Sequence, residues 1–140
     1  MNMLKKYISV LLLVFTFSLE LAAQQPVKRD EKIRQLKIEF VTSRMSLTQQ
    51  QMQRFVPLYN RYSDDLLVYR RAIKDLEKNP NSQYQVEERQ KLEQKMVEIK
   101  GTYKDDFLRI ITAQQLASMY KAEGEFKKAV LEEYRKRNSR

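Results

Sequence analysis

Histidine, cysteine and tryptophan are absent from this 140-residue chain, and it holds only two glycines and three prolines. Without cysteine there is no disulfide, no thiolate metal site and no cysteine nucleophile. Without histidine, most zinc sites and the commonest general base are lost as well. Two glycines are too few for a glycine-rich phosphate loop or for the many tight turns of a multi-stranded β fold. These absences point away from an enzyme, and no catalytic, cofactor-binding or metal-ligating set can be read from the chain. Charge and apolar bulk are abundant instead: Lys+Arg 27 stand against Asp+Glu 18, a formal +9, and 42% of residues are apolar. One domain is the natural content of this length.

Residues 1–23 read as a cleaved secretory signal. Lys5 and Lys6 form a basic start, Tyr7 to Leu19 is an uncharged run, and Leu21-Ala22-Ala23 precedes Gln24 in the pattern of a cleavage site. Glu20 closes the apolar run short of the roughly 20 residues a membrane span needs. The chain is therefore expected to be exported. The expected mature chain, Gln24 to Arg140, keeps 25 basic and 17 acidic residues, a net charge of +8. In an exported protein that charge points to anionic surfaces, acidic polymers or acidic stretches of unfolded protein, and not to nucleic acid.

Periodicity predicts an all-α fold of four helices. After a polar lead-in over 24–32, Ile33, Leu36 and Phe40 recur at helical spacing in a first helix from Asp30 to about Met45. In a second, from about Gln49 to Glu77, Met52, Phe55, Tyr59, Tyr62, Leu66, Tyr69, Ile73 and Leu76 step alternately by three and four residues, a heptad seam. Pro57 removes one backbone donor inside it and predicts a bend. Lys78-Asn79-Pro80-Asn81-Ser82 is a turn, with Ser82 and Gln85 at capping-box spacing for a third helix reaching about Ile110. That helix aligns Leu92, Met96, Ile99, Tyr103 and Phe107, and Gly101 is a weak point within it. A fourth, from Ala113 to about Arg137, aligns Leu116, Met119, Phe126, Val130 and Tyr134 and leaves 138–140 as a basic tail. Glu87–Lys91, Asp105–Arg109, Glu123–Lys127 and Glu132–Lys136 read as ion pairs on solvated faces. Asp64-Asp65 and Asp105-Asp106 diverge by about 100° on a helix, so neither pair can converge on one atom.

One pattern occurs twice, 64 residues apart: Leu47-Thr48-Gln49-Gln50-Gln51-Met52 and Ile111-Thr112-Ala113-Gln114-Gln115-Leu116. With Thr48 and Thr112 as N-caps, each threonine oxygen can accept from the amide three residues on. Gln51 and Gln115 can then reach back to the cap amides. Leu47 and Ile111 lie opposite Met52 and Leu116 as hydrophobic staples. The repetition indicates an internal duplication of a helix–corner–helix unit, and its chemistry is helix initiation.

On these residues the chain resembles the periplasmic LTxxQ-motif proteins, the Spy/CpxP-like group of small helical envelope-stress proteins. LTQQQ at Leu47 to Gln51 fits the motif fully, and ITAQQ at Ile111 to Gln115 has isoleucine for leucine. The resemblance covers about Ile33 to Tyr134, taken as the helical domain 33–137. It implies an elongated, curved helical-hairpin arrangement that forms an antiparallel homodimer with a basic, partly apolar concave face. It also implies ATP-independent chaperoning of unfolded or misfolded envelope proteins during envelope stress. The alternative is a regulatory partner, an inhibitor or sensor in an envelope-stress sensor-kinase or sigma/anti-sigma system. The zinc-responsive members of the group are a poor match, since no histidine or cysteine is present to bind the metal. A third reading is a peripheral binder of membrane or anionic wall polymer through the basic end beside Tyr134.

Overall fold

The computed structural model describes residues 25–78 and 83–139, with side chains from residue 31. The expected leader over 1–23, the Pro80 turn and the Ser82 cap lie outside these described residues. The fold is all-α: α1 is Gln25–Ser43, α2 Gln49–Leu76, α3 Gln83–Leu108 and α4 Ala113–Asn138, with no strand among the described residues.

The helix limits differ from the periodicity at both ends of α1. It starts at Gln25, so the expected lead-in is partly helical, and Pro26 sits in the first turn, where no intrahelical donor is missed. It stops at Ser43 and not at Met45, because Ser46 takes a left-handed backbone (φ 50°) that turns the chain into the next corner. Met45 stays apolar and buried even so, two residues beyond the helix.

The described residues divide into two units between Glu39 and Phe40. In the first unit the expected stripe residues Ile33 and Leu36 are 43% and 48% exposed. The stripe becomes core only in the second unit, where Val41 and Met45 are buried.

The core of the second unit is built mainly by α2, which buries Phe55, Leu58, Tyr59, Tyr62 and Leu66. Four of these five are the middle of the heptad seam, and fully burying such side chains contributes roughly 1.5–3 kcal/mol each. α2 runs unbroken through Pro57, whose exposed position leaves the carbonyl of the preceding turn open to water. α3 returns along α2 as an antiparallel hairpin: Arg89 Nη1 donates to Glu77 (2.8 Å) near the turn, and Tyr103 Oη to Asp65 (2.6 Å) further along. From α3 only Phe107 is fully enclosed, and it meets Phe55 and Tyr62 with ring centroids 5.5 and 5.4 Å apart. Leu116, Met119 and Ala122 of α4 complete the core, while Phe126 lies against Phe40 at 5.6 Å. Beyond Phe126 every residue of α4 is exposed, including Val130 and Tyr134, which the periodicity assigns to the same stripe.

Candidate functional site

The two threonine–glutamine motifs form the same local structure. Thr48 and Thr112 both adopt extended backbones (φ −68°, ψ 162° and φ −76°, ψ 161°) and cap α2 and α4. Thr48 Oγ1 accepts from the Gln51 amide at 3.1 Å, and Gln51 Oε1 accepts from the Thr48 amide at 3.0 Å. Thr112 and Gln115 repeat both bonds at the same two distances. Of the staple residues, Ile111 and Leu116 are buried, whereas Leu47 and Met52 are half-buried.

The structure adds a contact that neither motif predicts by itself. The two capping glutamines meet. Gln51 Nε2 donates to Gln115 Oε1 at 3.0 Å, and Gln115 Nε2 donates to Gln51 Oε1 at 3.1 Å, closing a cyclic amide pair. The second proton of each amide crosses to the other corner, from Gln51 to the Ile110 carbonyl and from Gln115 to the Ser46 carbonyl, both at 3.3 Å. Each side-chain amide thus uses two donors and two acceptor positions, its full capacity. The orientation of each amide is fixed, because turning either one over would bring NH₂ against a cap N–H.

These partners are related by the same 64-residue offset as the motifs. Gln51 bonds its own counterpart Gln115, and Tyr59 Oη donates to its own counterpart Glu123 at 2.9 Å. The crossing bonds are also reciprocal, Gln51 reaching the Ile110 carbonyl and Gln115 that of its counterpart Ser46, and such reciprocity marks a two-fold relation. An approximate local two-fold therefore relates the two corners and the first turns of α2 and α4, in keeping with a duplicated helix–corner–helix unit.

Glu123 is placed differently from the expectation. It is half-buried and takes the hydroxyls of Tyr59 and Tyr62 on separate oxygens (2.9 and 3.3 Å), where the sequence pairs it with Lys127 on an outer face. Burial first, and then the Glu123 charge, raises both phenols well above their ordinary range, so they remain donors. Tyr103 is pushed up to about 12 by burial and by its bond to Asp65. Two other expected pairs shift by one residue: Lys91 lies 3.7 Å from Glu88, and Arg109 3.2 Å from Asp106. Arg44, just after α1, stacks 4.4 Å above Phe40 and bridges to Glu125 at 2.9 Å.

Beside this hub, α2 and α3 border an open cleft of about 490 Å³ lined by Leu58, Arg61, Tyr69, Lys95, Ile99 and Tyr103, among others. The outer face of α3 carries Val86, Val97 and Leu108 at eleven-residue intervals, three helical turns apart, and they are 60%, 68% and 42% exposed. Neither feature is singled out by the heptad reading, which looks for what a helix buries. Among the described residues no cluster of three or more acidic side chains could hold a metal ion, and no helix is long and apolar enough to cross a membrane. Comparison of the chain with protein-family models, with curated proteins and with solved structures gives no match.

Proposed function

We propose that this protein is a periplasmic, ATP-independent chaperone of the LTxxQ type, acting as a homodimer that holds unfolded envelope proteins and performs no reaction. The observation that carries this reading is the joined pair of threonine–glutamine caps, the motif on which the resemblance to that group rests. The α3 outer face supports it: Val86, Val97 and Leu108 stand exposed with Lys100 and Lys104 close by on the same helix and Arg109 just past its end. Separated apolar groups among cations can hold an extended chain weakly, with long-range charge speeding its capture.

The test is suppression of aggregation of several unrelated unfolded proteins, at near-stoichiometric amounts and without nucleotide. Protection that weakens in Val97→Glu, with helicity unchanged, supports the proposal. Failure to protect any of them, combined with retention of one membrane sensor on a column of this protein, replaces it with the regulatory reading. Sedimentation equilibrium measures the proposed dimer independently.

A further inference from the structure

The distal part of α4 is a helix without a core. From Lys127 to Ser139 every residue is exposed, including Val130 (42%), Leu131 (46%) and Tyr134 (64%). The segment is well formed, closed by Ser139 whose amide returns to the Arg135 carbonyl at 3.1 Å, and spans about 20 Å at 1.5 Å per residue. At about 100° per residue, Val130, Tyr134 and Leu131 fall within an arc of about 100°. Arg135 and Lys128 lie on one margin of that arc and Arg137 on the other. Lys127 rises through its middle, its stem apolar and its charge at the tip. Five cations face two carboxylates here, and one of these, Glu133, is bridged to Arg137 at 3.0 Å in an exposed pair.

We infer that this segment is a docking surface for an anionic phospholipid bilayer, lying in the headgroup plane with Val130, Leu131 and Tyr134 inserted. Basic margins around a narrow apolar arc, ending in a tyrosine, are the layout of an interfacial helix. The internal two-fold argues against a helix of a second copy as the occupant. On α2 the face covered by α3 carries Leu66, Tyr69 and Ile73. The counterparts 64 residues on are Val130, Glu133 and Arg137, so two of the three seam positions are charged. The excess of cations on this segment, five against two carboxylates, also opposes its pairing with the same segment of another copy while favouring an anionic surface. The inference stands whether or not the chain holds unfolded proteins.

The absence of native cysteine makes the test site-specific. An environment-sensitive dye is attached to the full chain at Asn138→Cys, on the apolar arc, and separately at Val68→Cys, an exposed position on α2. Each is titrated with vesicles of phosphatidylcholine alone and of phosphatidylcholine with phosphatidylglycerol. The expected result is a blue shift at 138 only with the anionic vesicles, reversed by salt, and none at 68. Replacing Arg135, Lys136 and Arg137 together by Gln should weaken binding on the order of 100-fold, at roughly fivefold for each cation near the surface. Leu131→Asn with Tyr134→Asn should abolish the shift while circular dichroism stays unchanged. Four results overturn the inference: no shift, equal shifts with neutral vesicles, equal shifts at both labels, or a shift that follows protein concentration without lipid, which would mean a second copy covers the helix.

Discussion

α2 and α4 begin in the same way and end differently. Both start from a threonine–glutamine cap, both bury the next two turns, and both run for 26 residues or more. In α2 the burial continues through Tyr62 to Leu66, because α3 folds back over it. In α4 the position equivalent to Leu66 is Val130, 42% exposed, and no helix covers it among the described residues. Helix formation and helix burial are thus separate outcomes. The cap and the propensity of the segment establish the first, and a neighbouring element decides the second.

The comparison makes alkaline stability the largest expected effect. Tyr59, Tyr62 and Tyr103 are held above the ordinary phenol value of 10.0, and all three belong to the α2–α3 side. A group whose folded value is raised gives stability that is complete below its unfolded value and is lost as pH climbs toward the folded one. The thermal midpoint should therefore fall steeply above pH about 10. The phenolate absorbance of Tyr59 and Tyr62 should arrive with loss of helicity; if all eight tyrosines ionise while the helices persist, these two are not enclosed as described.

A paired truncation comes next. Leu66→Ala should cost about 2–5 kcal/mol in denaturant unfolding, whereas Val130→Ala should stay within about 0.5 kcal/mol. A cost above 1 kcal/mol for Val130 would mean that α4 is packed along its whole length, removing the contrast.

At the shared start of the two helices, Gln51→Ala and Gln115→Ala should each cost about 1–3 kcal/mol, since each strands partners on both corners. The double mutant should be less damaged than the sum by about 0.5–3 kcal/mol, the coupling of the amide pair. Strict additivity would show the two caps to be independent. Thr48→Ala and Thr112→Ala should cost about 0.5–2 kcal/mol each by thermal denaturation. Smallest, and opposite in sign, Gly101→Ala and Gly124→Ala should stabilise by about 0.5–1 kcal/mol. Both glycines are helical, and an added Cβ meets nothing within 4 Å.

Much of this architecture was legible because its causes are local. Heptad spacing and the cap residues place α2 and α4 within a residue or so of their limits, and the Thr48 and Thr112 boxes can be written from five residues each. What could not be read depends on how distant segments meet. The amide pair needs both corners together, and Glu123 is drawn inward by Tyr59 and Tyr62, although Lys127 four residues on gives it an ordinary surface pattern. The one available signal for both was the 64-residue offset, which sets Gln51 against Gln115 and Tyr59 against Glu123. Val130 and Tyr134 show the opposite limit: periodicity reports which residues share a face and says nothing about whether another element will cover it.

The saturated glutamine pair ties the fate of its two turns together. Any fluctuation that frees one corner breaks all four hydrogen bonds that run between the two, so a half-opened state gains little and the cheapest excursion opens both ends. The duplicated halves, although each carries its own starter sequence, therefore melt and re-form as one cooperative body.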